Sequence, residues 1–142
     1  MNFNKKHLFL SIFLILVTTL LSSCIRTAIK NNISNITTTP LKKNITYTLN
    51  TNSGNKVAKA IKIGCARRGW VLKKSKWRKY KATLNLRSHQ VKVFISYTNK
   101  KLNIKYISSK NMRFNGKNIH KRYYTWIKKL YASINQALIR QT

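Results

Sequence analysis

Few side chains in this sequence could do chemistry, because its 142 residues include no aspartate and no glutamate. Glycoside hydrolysis by paired carboxylates, carboxylate-rich calcium or magnesium sites and a Ser-His-Asp triad are therefore excluded. The titratable groups that remain include His89, His120 and Cys65. Two neutral imidazoles could begin a zinc site, but zinc takes three or four ligands and Cys65 lies on a separate helical stripe. We therefore expect no catalytic residue, no metal and no cofactor.

Cys24 is the residue whose surroundings point most directly to a modification. Lys5 and Lys6 precede an apolar run over residues 8–21, which is shorter than the roughly 20 residues of a membrane-spanning helix. A basic region, a short apolar run and small residues are typical of a cleaved export signal. Leu21-Ser22-Ser23-Cys24 resembles the bacterial lipobox, whose cysteine receives diacylglycerol. We expect cleavage after residue 23 and lipidation of Cys24; the alternative is an ordinary secretory signal with a coincidental cysteine.

Arg87, His89 and His120 could form a polar cluster. Arg87 and His89 end one segment of strand-like alternation, and His120 begins a segment of helical periodicity. The three side chains could therefore meet at one end of the domain. We interpret them as a structural cluster that ties a hairpin to the helix start, and prefer this to metal binding or catalysis.

The charge of the chain predicts an anionic partner. The sequence has 30 Lys and Arg, and loss of the signal would remove only Lys5 and Lys6. Uncompensated positive charge repels itself and attracts polyanions. Anionic lipid, lipopolysaccharide, a cell-wall polymer and nucleic acid all fit this requirement.

A tether precedes the predicted domain, and an amphipathic helix is the first element of that domain. Residues 24–52 are rich in Asn, Thr and Ser and contain Pro40, so we interpret them as a lipidated flexible tether with a short strand around Ile45 to Leu49. A first amphipathic helix then follows Ser53, with Gly69 placed to end it. Its apolar stripe comprises Val57, Ala60, Ile61, Gly64 and Cys65.

The rest of the chain predicts four strands and a long helix. Period-two alternation marks strands near residues 70–74, 80–87, 91–98 and 102–107, and helical periodicity continues from about Ile119 to Arg140. Both helices have apolar stripes and should cover one face of the sheet. We predict a two-layer α+β domain over residues 53–142, a four-stranded antiparallel meander with an N-terminal and a long C-terminal helix.

The sheet face away from the helices is the predicted binding surface. It would display Lys81, Arg87, Lys92 and Lys105 together with Phe94. Basic groups around an aromatic ring can bind single-stranded nucleic acid through phosphate contacts and base stacking. The alternative, which we favour, is an ordinary solvated face.

Several short motifs resemble those of small, uncharacterised proteobacterial envelope lipoproteins. The likeness spans roughly residues 57–131 and includes Arg87-Ser88-His89, Ile119-His120 and Tyr123-Tyr124-Thr125-Trp126, although Tyr124 stands where that pattern carries Asn. The resemblance implies one α+β domain behind a lipobox and assigns no activity.

Two functions follow as expectations from the charge, the lipobox and the resemblance. The first is a non-enzymatic envelope lipoprotein whose basic domain contacts anionic envelope components. The second is a surface lipoprotein that binds nucleic acid through the basic sheet face. Ile25 after the lipidated cysteine, by resemblance to enterobacterial sorting, favours the outer membrane.

Replacing Cys24 by alanine tests the lipobox. Cys24→Ala should leave the precursor uncleaved and unlabelled by radioactive fatty acid in bacterial cells, because the acceptor thiol is gone. Continued labelling of the Cys24→Ala chain would contradict the assignment.

Overall fold

The structure, a computed structural model, describes residues 37–141. The predicted signal and Cys24 lie outside the described residues. Within this range the elements, in chain order, are β1 Thr38–Pro40, β2 Asn44–Thr48, α1 Gly54–Arg67, β3 Trp70–Lys76, β4 Lys79–Leu86, β5 His89–Tyr97, β6 Lys101–Lys110, β7 Asn118–His120 and α2 Arg122–Ile139.

The main sheet has five antiparallel strands in the order β2-β6-β5-β4-β3. A second, two-stranded antiparallel sheet joins β1 to β7. The predicted α+β class is confirmed, and β3 to β6 form a meander of neighbouring strands. The predicted count of four strands is wrong, because β2 adds a fifth strand along the free edge of β6.

The fifth strand overlaps the short strand that we expected around Ile45 to Leu49, but it is paired within the sheet and is not part of a flexible tether. Ile45 and Tyr47 of β2 are half-buried, whereas the residues between and beside them are exposed. Two alternating apolar residues are too short a pattern to separate a paired strand from a polar linker. The compact unit begins at Thr38, and β1 and β2, which fall within the predicted tether over residues 24–52, pair with β7 and β6 inside it.

One hydrophobic core joins the sheet to both helices. Alternate residues of β4, β5 and β6 point into it, and the apolar stripes of α1 and α2 complete the same cluster. On α1 the buried residues are the five predicted for its stripe. The side chains that alternate with these core residues therefore lie on the sheet face that is turned away from the core.

Polar side chains fix both ends of α1. The Ser53 hydroxyl accepts a hydrogen bond from the Lys56 amide at 3.4 Å, which caps the first turn. Gly69 has φ +69°, a left-handed conformation that ends helices. Between them Arg68 donates from Nε to the buried Ser133 hydroxyl of α2 at 2.6 Å. A charged group at the helix end is thus bound by a neutral acceptor.

The two helices approach each other closely at Gly64. A Cβ atom added there would lie 2.6 Å from Cγ1 and 2.7 Å from the backbone nitrogen of Ile134. Backbone cannot yield as a side chain can, so the contact requires glycine. This position sets the distance between α1 and α2.

Gly64→Ala should lower the free energy of unfolding by about 1–3 kcal/mol, measured by urea denaturation, because the added methyl forces the helices apart. In a helix without such a neighbour, alanine would stabilise by up to about 1 kcal/mol relative to glycine. Lys59→Ala, on the exposed side of the same helix, is the control and should change stability by less than about 0.5 kcal/mol. A stabilised Gly64→Ala chain would disprove the close approach.

Candidate functional site

A row of lysines crosses the sheet on the side away from the core. Lys81 pairs with Phe94 and Phe94 with Lys105, while Lys73 pairs with Lys81 on the outer strand. Directly paired residues share one face of a sheet, and neighbouring strands lie about 4.8 Å apart. Lys73, Lys81 and Lys105 therefore present three ammonium groups over roughly 15 Å, with the aromatic ring of Phe94 among them.

Lys92 belongs to the same surface. It pairs with Thr83 and Ser108, in the row next to that of Phe94. We call Lys73, Lys81, Lys92, Phe94 and Lys105 the basic face. The prediction for Lys81, Lys92, Phe94 and Lys105 thus agrees with the register of the strands.

Arg87 does not belong to the basic face. Leu86 pairs with His89, so Arg87 and Ser88 form the two-residue turn between β4 and β5, and Arg87 has φ +53°. Arg87 was expected on the sheet face because the alternation of β4 continues to this residue in the sequence. The turn interrupts that alternation and directs the backbone out of the sheet.

The ring of Phe94 is already in contact with a cation. The Lys79 ammonium lies 4.3 Å from its centroid, in a cation–π arrangement. Phe94 itself is half-buried. A nucleobase could stack on this ring only by displacing Lys79 or by approaching from another side.

His89 and His120 lie at the same end of the domain, as expected for the polar cluster. His89 donates from Nδ1 to the Asn111 carbonyl at 2.7 Å, and Asn111 donates to the Ser88 carbonyl at 2.6 Å. The His120 amide donates to the Met112 carbonyl at 2.8 Å. These bonds tie the β4–β5 turn to the segment after β6 and to the start of α2, whereas Arg87 stays exposed in the turn.

His120 is held in its neutral form. Its Nδ1 accepts a hydrogen bond from the Arg122 amide at 3.1 Å, which a protonated nitrogen could not do. Burial, then the charges of Arg122 and Arg113 and the neighbouring His89, lower the pKa of His120. Over residues 37–141 no group of three or more His, Cys, Asp or Glu side chains is placed to hold a metal ion.

Tyr124 fastens the N-terminal segment of the domain to α2. Its hydroxyl donates to the Pro40 carbonyl and accepts from the Lys42 amide, both at 2.6 Å. A cavity of about 470 Å³ lies beside it, lined also by Ile45, Tyr47 and Ile127. The tyrosine that departs from the resembled pattern thus holds the end of β1 and the segment leading to β2 against the helix.

Cys65 is buried and chemically quiet. It is 1% exposed on the core side of α1, as its stripe predicts, and burial raises its pKa from the usual 9.0 to about 12. Only the thiolate is a strong nucleophile. This thiol therefore belongs to the core.

The turn between β3 and β4 carries an exposed tryptophan that no pattern in the sequence predicted. Trp77 lies at this turn with 80% of its surface exposed, and the Arg78 guanidinium carbon lies 4.4 Å from the centre of its ring. The available signal was the density of basic residues around one tryptophan in Lys73-Lys74-Ser75-Lys76-Trp77-Arg78-Lys79.

Comparison with known proteins adds no relative to this description. No family model matches the chain, and no curated protein matches it. Among the helices of residues 37–141, neither is long and apolar enough to cross a membrane.

Cys65 should resist alkylation in the folded chain. A thiol of pKa about 12 holds about a thousandfold less thiolate near neutral pH than one of pKa 9.0, and burial blocks access as well. Labelling by iodoacetamide at about pH 8 should be at least a hundredfold slower than in urea. Peptide-resolved mass spectrometry separates Cys65 from Cys24. Rapid labelling of folded Cys65 would contradict its burial.

Proposed function

We propose that this chain is a non-enzymatic, lipid-anchored protein of the bacterial cell envelope, whose basic domain contacts anionic envelope components. The observation that supports this most is the basic face, where lysines on neighbouring strands lie in one row beside Phe94. The sequence offers these lysines no carboxylate side chain as a partner. An extended anion would therefore meet several unpaired cations at once.

The anchoring part of the proposal rests on the lipobox at Leu21-Ser22-Ser23-Cys24. Acyl chains contribute about 0.8 kcal/mol per buried CH₂, so a multiply acylated Cys24 would be held durably. Basic residues near a bilayer add attraction to anionic lipid. Ile25 after the cysteine supports the outer membrane as the location.

The chemistry of the reactive side chains supports a binding role over an enzymatic one. Cys65 is buried with a raised pKa, and both histidines make hydrogen bonds to backbone groups. A general base needs to lie within reach of a substrate proton, and a nucleophile needs an ionised form near neutral pH. Cys65 does not meet the requirement for a nucleophile, and each of the two histidines already has one ring nitrogen bonded to the backbone.

The contact between Lys79 and Phe94 favours envelope polymers over nucleic acid as the partner. Stacking of a base on an aromatic ring is worth about 1–3 kcal/mol, but it needs an open ring face. Lys79 occupies space above this ring. Phosphate-bearing lipids and wall polymers need only the cations.

Neutralising the basic face should weaken polyanion binding. Lys81→Gln, Lys92→Gln and Lys105→Gln combined should reduce affinity for lipopolysaccharide and flatten its salt dependence, because contacts on adjacent strands are lost. For single-stranded DNA the log-log salt slope should fall by about 0.7 per lost contact. Titration calorimetry across salt concentrations measures both ligands.

The matched control is the triple glutamine variant at Lys121, Lys128 and Lys129, which are exposed and lie at or beyond the start of α2. Equal losses in the two variants would show that net charge alone attracts polyanions and that no site exists. Phe94→Ala separates the partners: we expect unchanged DNA affinity, and a loss of 1 kcal/mol or more, roughly the value of one stacked base, would favour nucleic acid.

A further inference from the structure

The turn between β3 and β4 presents a tryptophan at the tip of a strongly basic hairpin. Residues 73–81, which we call the basic hairpin, read KKSKWRKYK and hold six Lys and Arg. Lys76 pairs with Lys79, so Trp77 and Arg78 form the turn. Trp77 has the largest exposed fraction, 80%, among the large hydrophobic side chains of the described residues. An apolar ring in this position has no role in the core.

The turn holds this ring in a defined orientation. Arg78 has φ +52°, and its guanidinium packs over the Trp77 ring at 4.4 Å. The β3–β4 pairing continues from the turn back to Trp70 and Leu84, which are buried. The tip therefore projects from a sheet that is fixed to the core at its other end.

Further donors surround the tip on the sheet side. Lys79 pairs with Ser96, which in turn pairs with Asn103. Ser96, Asn103 and Lys101 line a cavity of about 370 Å³, together with Thr46, Tyr97 and Thr98. Hydroxyl, amide and ammonium groups beside a basic tip are suited to phosphate.

We propose that the basic hairpin docks on an anionic lipid surface, with Trp77 inserted at the interface and the flanking cations against lipid phosphates. Indole rings favour the boundary between headgroups and acyl chains, because one part of the ring is apolar and its N–H finds a polar partner. Each Lys or Arg close to an anionic leaflet adds about 1 kcal/mol of attraction. This inference rests on the proposed envelope location and names the partner of one end of the domain.

A lipid surface fits the tip better than a nucleic acid does. Stacking on a base needs a ring face that is open and lies along a groove. Arg78 covers one face of Trp77, and the ring stands at the extremity of a turn. A bilayer interface instead receives the ring by its edge, while Arg78 can bind phosphate and ring together.

The proposed anchor allows this orientation. Thr38 pairs with His120, at the end of the domain opposite to the basic hairpin. The 14 residue-to-residue steps from Cys24 to Thr38 can span at most about 50 Å. The strands of the sheet hold up to 10 residues, which corresponds to about 34 Å. The anchored chain is long enough for the far end of the domain to reach the same bilayer.

Fluorescence quenching by brominated lipid tests the docking in the full chain. The chain, purified from bacterial membranes, is reconstituted into phosphatidylcholine vesicles with and without phosphatidylglycerol, and its Trp77→Phe variant is treated in the same way. The difference between the two reports Trp77 alone, since Trp70 is buried and Trp126 half-buried in both. We expect quenching of Trp77 in the anionic vesicles and loss of this signal in Trp77→Phe.

A variant with fewer charges tests whether the lysines of the basic hairpin cause the docking. Lys76→Gln with Lys79→Gln should reduce the docking equilibrium about 25-fold, from about 1 kcal/mol per lysine, and so lose the Trp77 quenching. Lys128→Gln with Lys129→Gln, which removes equal charge from α2, should keep it. Equal loss in both variants would overturn a site at the hairpin.

The remaining outcomes separate this inference from the proposed function. Flotation with the vesicles reports whether the chain is bound to them at all. A chain that floats with both kinds of vesicle but shows no Trp77 quenching would overturn the hairpin docking and leave the lipid-anchored protein as proposed. A chain that floats only with anionic vesicles, with Trp77 quenched, would support the hairpin and count against the lipid anchor. The tip would instead be assigned to nucleic acid if single-stranded DNA quenched Trp77 in the absence of vesicles and also displaced Trp77 from the lipid in their presence.

Discussion

This protein must fold although no carboxylate side chain is present to neutralise its Lys and Arg residues, and the rest of the structure depends on that constraint. Ion pairs within the described domain are replaced by neutral partners. Arg68 binds the Ser133 hydroxyl, Lys79 lies over Phe94 and Arg78 over Trp77. Because mutual repulsion opposes compaction, the favourable free energy must come from the apolar core, in which the helices approach closely at Gly64.

The elements that could be predicted from the sequence are those whose periodicity is long. Tyr80, Ala82 and Leu84 alternate over enough residues to define a strand and its buried face, and the stripe of α1 is correct residue by residue. β2 and β7 are short and mostly polar, and backbone pairing with partners distant in sequence holds them. No local pattern encodes such pairing, so the sequence predicted a short strand around Ile45 to Leu49 but not its place in the sheet, and it did not predict β7.

The candidate site was predictable to the same extent. Lys81, Lys92, Phe94 and Lys105 share a face because their strands pair in register, which alternation implies. Arg87 was misplaced because a two-residue turn begins at that residue and alternation cannot show where a turn begins. Trp77 was overlooked because it falls between the predicted strands at residues 70–74 and 80–87, where strand alternation says nothing about how exposed a turn residue is. Lysines on one sheet and a tryptophan at its corner together describe a domain with a broad cationic side and one apolar tip.

The lack of carboxylates shapes the titration curve of the domain. In most proteins the Asp and Glu side chains take up protons between about pH 5 and pH 3. Their loss of negative charge removes the charge balance that resists acid unfolding. Over residues 37–141 there is no Asp or Glu side chain to take up protons in this range. The positive charge of the domain is therefore nearly constant between about pH 5 and pH 3. Protonation of a phosphate-bearing partner, and not of this protein, would determine the pH at which the domain and its partner separate.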